Sequence, residues 1–160
     1  MAIQRKPLVA GNWKLNGSDS LVEEMSSALQ KAEISSSDVV ICVPAPYLAK
    51  FQSSGFDIGA QDVSEHDAGA YTGEVTAKML TQIGVEFCLV GHSERRQYHG
   101  ESPQDVAEKF VAARKAGLVP VLCVGETLNQ REAGHTEYAL EKQLGPVVEL
   151  AGIAAFEGAV

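Results

Sequence analysis

An α/β fold built on a parallel sheet is predicted by three features of this sequence. Short, β-branched apolar runs alternate with helical patterns about every 30 residues. The best of these runs are apolar throughout, as strands covered on both faces require. No linker or low-complexity segment interrupts the 160 residues, so a single domain over 1–160 is expected.

The first strand is read at Leu8 to Gly11. A helix follows, with Ser20 and Glu23 as its capping pair and Leu21, Met25, Ala28, Leu29 and Ala32 on its apolar face. The second strand, Val39 to Val43, ends at Pro44 and Pro46, and a short helix is expected from Tyr47 to about Gln52. The third strand is Ile58 to Gln61. A polar loop through Gly69 and Gly73 leads to a helix carrying Met79, Leu80 and Ile83, closed by Gly84. The fourth strand is Phe87 to Val90. The next helix has the clearest start in the chain, with Ser102 as N-cap, Pro103 at the first helical position and Asp105 in the first turn. Its apolar face is Val106, Phe110 and Val111, and Gly117 closes it. The fifth strand, Leu118 to Val124, tolerates Pro120 near its start. A polar stretch through Gly134 opens a last helix near Thr136, which Gly145-Pro146 should kink or divide.

Composition narrows the function. With 45% hydrophobic and 21% charged residues, the sequence reads neither as disordered nor as membrane-embedded. The longest apolar runs, Val39 to Val43 and Val119 to Val124, are far too short to span a bilayer. Met1 to Lys6 is polar and is expected to contain no signal-peptide core. A formal net charge of −8 argues against nonspecific nucleic-acid binding. It also requires that an anionic ligand be held by a local cation or by backbone N–H groups, against the overall field. The three cysteines, Cys42, Cys88 and Cys123, lie in apolar runs and form no CxxC pair. That pattern suits free thiols in a reducing compartment, with no metal site expected.

Two architectures fit this pattern. A five-stranded doubly wound sheet would close at this length. An eight-fold barrel needs about 200 residues or more, so here it would be incomplete. Four segments bear on the choice, each just past the end of a predicted strand, where loops and helix N-termini converge in α/β proteins. Gly11-Asn12-Trp13-Lys14-Leu15-Asn16-Gly17 offers a compact lysine cation to a phosphate or carbonyl oxygen, or else a surface lysine beside a packed tryptophan. Gly91-His92-Ser93-Glu94-Arg95-Arg96 places a histidine where backbone dipoles favour its neutral form, or else a capping histidine in a salt-bridge cluster. Gly69-Ala70-Tyr71-Thr72-Gly73-Glu74 is by itself a loop. In Cys123-Val124-Gly125-Glu126-Thr127, the glycine suits a close backbone approach and Glu126 a helix-start carboxylate.

Together, GNWKxN, GAxTGE, GHSERR and PVLCxGET resemble the ordered signatures of the triosephosphate isomerase family, at that family's spacing and over essentially the whole chain. The resemblance implies a (β/α)8 barrel of the TIM type, of which these residues cover about five βα units and the start of strand six. It implies interconversion of dihydroxyacetone phosphate and glyceraldehyde 3-phosphate through an enediolate, with no metal or organic cofactor. It further implies a cytoplasmic enzyme of glycolysis and gluconeogenesis that works as a homodimer.

Residue by residue, the resemblance makes Asn12 and Lys14 substrate contacts, with Lys14 holding the phosphate and stabilising developing charge. Trp13 lends its backbone to the site while its ring is structural. His92 is the electrophile, and this family is the usual illustration of a neutral histidine in that role. Glu94 is placed to orient both Lys14 and His92. Thr72 belongs to the loop that reaches the neighbouring subunit's site, and Arg95 and Glu74 are structural ion partners. The family's base, a glutamate in a segment reading roughly YEPVWAIGTG, comes after the point matched by Val160. These 160 residues alone are therefore expected to be inactive. A piece of a full enzyme, one half of a split enzyme and a non-catalytic binding module all remain open readings.

Overall fold

The computed structural model describes residues 6–32, 34–51 and 56–160. Five strands, β1 (Leu8–Asn12), β2 (Asp38–Val43), β3 (Asp57–Ala60), β4 (Phe87–Val90) and β5 (Val119–Leu122), form one sheet in the order β1-β2-β3-β4-β5. Every pairing is parallel, with Gly11 opposite Ile41, Ile41 opposite Ile58 and Leu89 opposite Val121. This order settles the architecture. A doubly wound sheet reverses direction at a switch point, whereas here each crossover advances one strand the same way. Right-handed crossovers then place every helix on one face, and the strands form a curled half-barrel.

The two faces of the sheet bury different residues. Val43, Ile41, Ile58, Cys88 and Val90 face the helices and pack with Phe51, Leu80, Val106, Phe110 and Val147. Val40, Cys42 and Leu89 face the other way and cluster with Leu8, Phe87, Val121 and Cys123. This split explains why β2 is apolar at successive positions. Cys42 and Cys88 are buried as expected, and burial pushes the Cys42 thiol up to about 12. Cys123 is only partly buried.

The helices are α1 (Asp19–Lys31), α2 (Ala45–Leu48), α3 (Ala77–Gln82), α4 (Ser93–Tyr98), α5 (Pro103–Lys115), α6 (Leu128–Glu132) and α7 (Thr136–Ala151). Several differ from the sequence reading. The cap of α1 is Ser18, whose hydroxyl accepts from the Leu21 N–H, and the buried stripe runs through Val22, Met25 and Leu29 while Ala28 is exposed. The short helix after β2 starts earlier, at Ala45, and continues as a 3-10 turn to Phe51; Gln52 lies outside the described residues. The polar stretch before Gly134 contains α6, closed at its start by a capping box between Thr127 and Gln130. Pro146 does not divide α7, which runs through it unbroken, since Ala139 and Val147 on either side are both buried. The capping box of Ser102 and Asp105 at α5 is present as read. Finally, the Val160 N–H donates to the Pro120 carbonyl at 3.0 Å and its carbonyl accepts from the Leu122 N–H at 2.8 Å. That is the pattern of a parallel neighbour beside β5, where a sixth strand was expected to start.

Candidate functional site at the carboxyl edge of the sheet

The loop after β1 is built around a strained lysine. The Trp13 N–H donates to the Cys42 carbonyl at 3.0 Å, prolonging the ladder by one residue. Its ring turns toward the helices and meets Phe51 edge-on, with centroids 5.5 Å apart. Lys14 then adopts φ +51°, the one non-glycine positive φ among the described residues. Left-handed backbone is disfavoured for any residue with a Cβ, and it persists only where the surroundings hold it. Here the Lys14 N–H donates to Asn12 Oδ1 at 2.9 Å, and the Lys14 carbonyl accepts from Gln61 Nε2 at 2.9 Å.

The second arm comes from β4. Gly91 has φ +69°, and a Cβ there would lie 2.6 Å from Arg96 Nη2 and 2.7 Å from Val106 Cγ1, so only glycine fits. Arg96 donates to the Gly91 carbonyl at 2.7 Å and to the Cys123 carbonyl at 3.0 Å, tying the exits of β4 and β5 together. His92 caps α4, its Nδ1 accepting the Glu94 N–H at 3.3 Å. A backbone N–H can only donate, so Nδ1 is the acceptor and the ring proton sits on Nε2. Glu94 Oε2 also lies 3.5 Å from Nδ1, a contact that would bind only a protonated ring. The backbone donor sets the tautomer, while the other oxygen of the Glu94 carboxylate is engaged elsewhere. Its Oε1 accepts from Lys14 Nζ at 2.7 Å, and that hydrogen bond holds the Glu94 pKa below its ordinary value.

Asn12, Lys14, His92 and Glu94 thus line one cleft of about 430 Å³, together with Gln61. Thr72 is not among them. It stands on the exposed loop after β3, beside a separate cleft with Arg95 and Glu101. Glu126 lines a third cleft beside His92, but Arg131 holds its carboxylate at 2.7 Å and its pKa is lowered by a backbone hydrogen bond and by that arginine.

Three features went unread in the sequence. Gln61 lies just past the end of β3 and reaches under the first loop, and nothing in its neighbourhood of the sequence marks it. Gln143 of α7 clamps Gly125, accepting from its N–H at 3.0 Å and donating to its carbonyl at 2.7 Å, which ends β5 before Val124. Lys109 is only 4% exposed. It bonds Asp62 at 2.9 Å and Glu101 at 2.6 Å, and Arg95 joins the same two carboxylates at 2.9 and 2.5 Å. Burial would lower the Lys109 pKa, but Glu101 and Asp62 together raise it. Arg95 is the structural ion partner expected, whereas Glu74 acts on it only through its longer-range field. The available signal for Lys109 was its place on the apolar stripe of α5, one residue before Phe110.

Sequential parallel strands with helices on one face are the first βα units of a barrel fold, and a lysine, a carboxylate and an imidazole gather as a candidate site at their carboxyl ends. The model of the triosephosphate isomerase family matches residues 7–160, and the chain belongs to that family. It is 55% identical to the triosephosphate isomerase of Stenotrophomonas maltophilia strain K279a and 54% identical to that of Xanthomonas oryzae pv. oryzae strain PXO99A. Each comparison covers 98% of this chain and 64% of the relative, so the chain spans just under two thirds of their length.

Proposed function

We propose that this chain supplies the electrophile and substrate-holding half of a triose-phosphate isomerase. Residues 1–160 would form one contiguous part of a single barrel domain. The observation that carries this reading is the meeting of three groups from two distant loops. Lys14 Nζ lies 2.7 Å from Glu94, whose own N–H fixes His92 with its proton on Nε2.

In this scheme Lys14, with Asn12 beside it, holds the substrate phosphate against the acidic field of the molecule. The Nε2–H of His92 donates to the carbonyl oxygen of dihydroxyacetone phosphate. As a base removes the adjacent carbon-bound proton, negative charge gathers on that oxygen, where His92 and the Lys14 ammonium stabilise it. The hydroxyl proton passes to the former carbonyl oxygen, the abstracted proton returns to the carbon that bears that oxygen, and glyceraldehyde 3-phosphate results. Glu94 orients Lys14 and, through its N–H, the imidazole. The base itself is assigned to a carboxylate outside these residues. Glu94 is paired with Lys14 and Glu126 with Arg131, and both pKa values are lowered, which makes each a weaker base.

A homodimer is part of the proposal. Residues 67–74 are exposed, with Tyr71 stacked on His66 at 3.6 Å to stiffen the loop, and Leu15 stands 97% exposed near the cleft. Thr72 would enter the partner's cleft near Asn12. A cytoplasmic location accords with three free thiols. Among the described residues no helix is long and apolar enough to cross a membrane. A coupled dehydrogenase assay on the protein at its native length tests the activity. Binding of triose phosphates without interconversion would assign the chain to a non-catalytic module instead.

A further inference from the structure

We propose that Gln61 is a positioning residue for the isomerisation: its side-chain amide holds Lys14 in the left-handed conformation that sends the ammonium across the cleft. This rests on the reading of Lys14 as the cation that holds the substrate. The amide Nε2 shares its two N–H donors among three oxygens, the Lys14 carbonyl at 2.9 Å, Asn12 Oδ1 at 3.1 Å and, most distant, the Cys42 carbonyl at 3.3 Å. Gln61 therefore bridges the end of β3, the end of β2 and the loop after β1. Asn12 Oδ1 is the same oxygen that accepts the Lys14 N–H. One side chain from outside the loop thus fixes the carbonyl of the strained residue directly and its N–H through a shared acceptor.

All three partners are acceptors, so the position demands a donor. Glutamate has the same shape and presents only oxygens to those oxygens. An alanine would leave the Lys14 carbonyl without this donor and Asn12 free to turn. The left-handed φ would then have less to hold it, and the ammonium at the end of a flexible stem would leave its place. A glutamine that merely filled a polar hole would act independently of Lys14. A glutamine that acts by aiming Lys14 has no effect once Lys14 is gone.

The experiment is a double-mutant cycle on the protein at its native length, with Gln61→Ala, Gln61→Glu, Lys14→Met and the combined variants assayed on triose phosphates. Gln61→Ala should lower kcat/KM by about 10- to 100-fold, in keeping with the cost of a misplaced group. It should weaken competitive inhibition by inorganic phosphate in parallel, and Gln61→Glu should fall further. In the Lys14→Met background, Gln61→Ala should change kcat/KM by less than about twofold. A crystal structure of Gln61→Ala should show Lys14 outside the left-handed region; if that variant fails to fold, Gln61→Met replaces it in both measurements. Multiplicative losses in the cycle, or a Lys14 φ that stays near +51° without the amide, would overturn the positioning role alone. An undiminished kcat/KM in Lys14→Met would overturn the reading of the site, and this proposal with it.

Discussion

Lys14 Nζ and Glu94 Oε1 meet at 2.7 Å although 80 residues separate them in the chain. They stand on the loops after β1 and β4, three strand spacings apart. In a flat sheet those ends would be roughly 14 Å from one another. The curl of the half-barrel and the length of the lysine stem close that gap. Both side chains are about half exposed, so the pair contributes little to stability. Its consequence is geometric, since Glu94 holds the ammonium in the cleft and its N–H fixes His92.

The first expectation concerns that imidazole. His92→Gln should lower kcat by about 10²-fold or more with a much smaller change in KM, because the Nε2–H acts on charge that develops in the transition state. Steady-state kinetics on the protein at its native length measure this. Unchanged turnover would remove His92 from the mechanism.

Lys109→Met should destabilise the fold by about 3 kcal/mol, because it leaves the buried carboxylate of Glu101 and the partly buried one of Asp62 with Arg95 alone to compensate them. Asp38→Asn, which breaks the exposed Lys6–Asp38 pair, should cost no more than about 0.5 kcal/mol. Urea unfolding of the two variants side by side decides it, and equal costs would show that the cluster is not behaving as a buried one.

The same cluster sets a pH dependence. Burial would raise the Glu101 pKa, but hydrogen bonds from Lys109 and Arg95 outweigh it and hold the group below its ordinary 4.5. A carboxylate depressed on folding contributes stability that is in place above 4.5 and is lost as pH falls through the lower folded value. Asp62, which burial holds above its ordinary 3.8, has the opposite sign, so the comparison must isolate Glu101. The stability gap between the parent protein and Glu101→Gln should be constant near neutrality and shrink as the pH drops below 4.5. A gap that widens on acidification would contradict the assignment.

Light scattering on the protein at its native length should report a dimer. Thr72→Arg should weaken it and lower activity together, because a long charged side chain would be forced into the partner's cleft. A parent protein that is monomeric and fully active would refute the role given to the Gly69 to Glu74 loop.

Residues 1–160 assayed alone should show no measurable isomerisation, since a positioned general base contributes about 10² to 10⁴ in rate and the nearby carboxylates are engaged. Val9 at the β1 edge is 57% exposed, and Leu15, Ile153 and Val160 also lie open to solvent, although Val40, Cys42 and Leu89 on the inner face are buried. Such a chain should bind apolar dyes until the portion of the Stenotrophomonas relative that these residues do not match is supplied in trans. Appreciable turnover by the chain alone, abolished by His92→Gln, would place the base within it.

By itself the sequence determined the class of fold, the rough place of all five strands and the motifs of the site. Each of these is written locally. An apolar β-branched run such as Val39 to Val43, a Ser-Pro-x-Asp helix start at Ser102, and a Gly-His-Ser-Glu string after a strand all carry their meaning within a few residues. The alternation of strands and helices left the doubly wound sheet and the barrel equally open until motif resemblance favoured the barrel. The strand order, a long-range property, then decided it. Only the tertiary structure revealed Gln61, Gln143 and Lys109, because each acts on a partner 18 or more residues away: Gln61 on Lys14 at 47 positions, Gln143 on Gly125 at 18 and Lys109 on Asp62 at 47. It also moved the first helix cap from Ser20 to Ser18 and kept α7 whole through Pro146. Local preference was outweighed there by which residues the packed helix had to bury. The left-handed Lys14 is the sharpest case, since lysine has no intrinsic reason to adopt φ +51° and does so where groups from three strands meet around it.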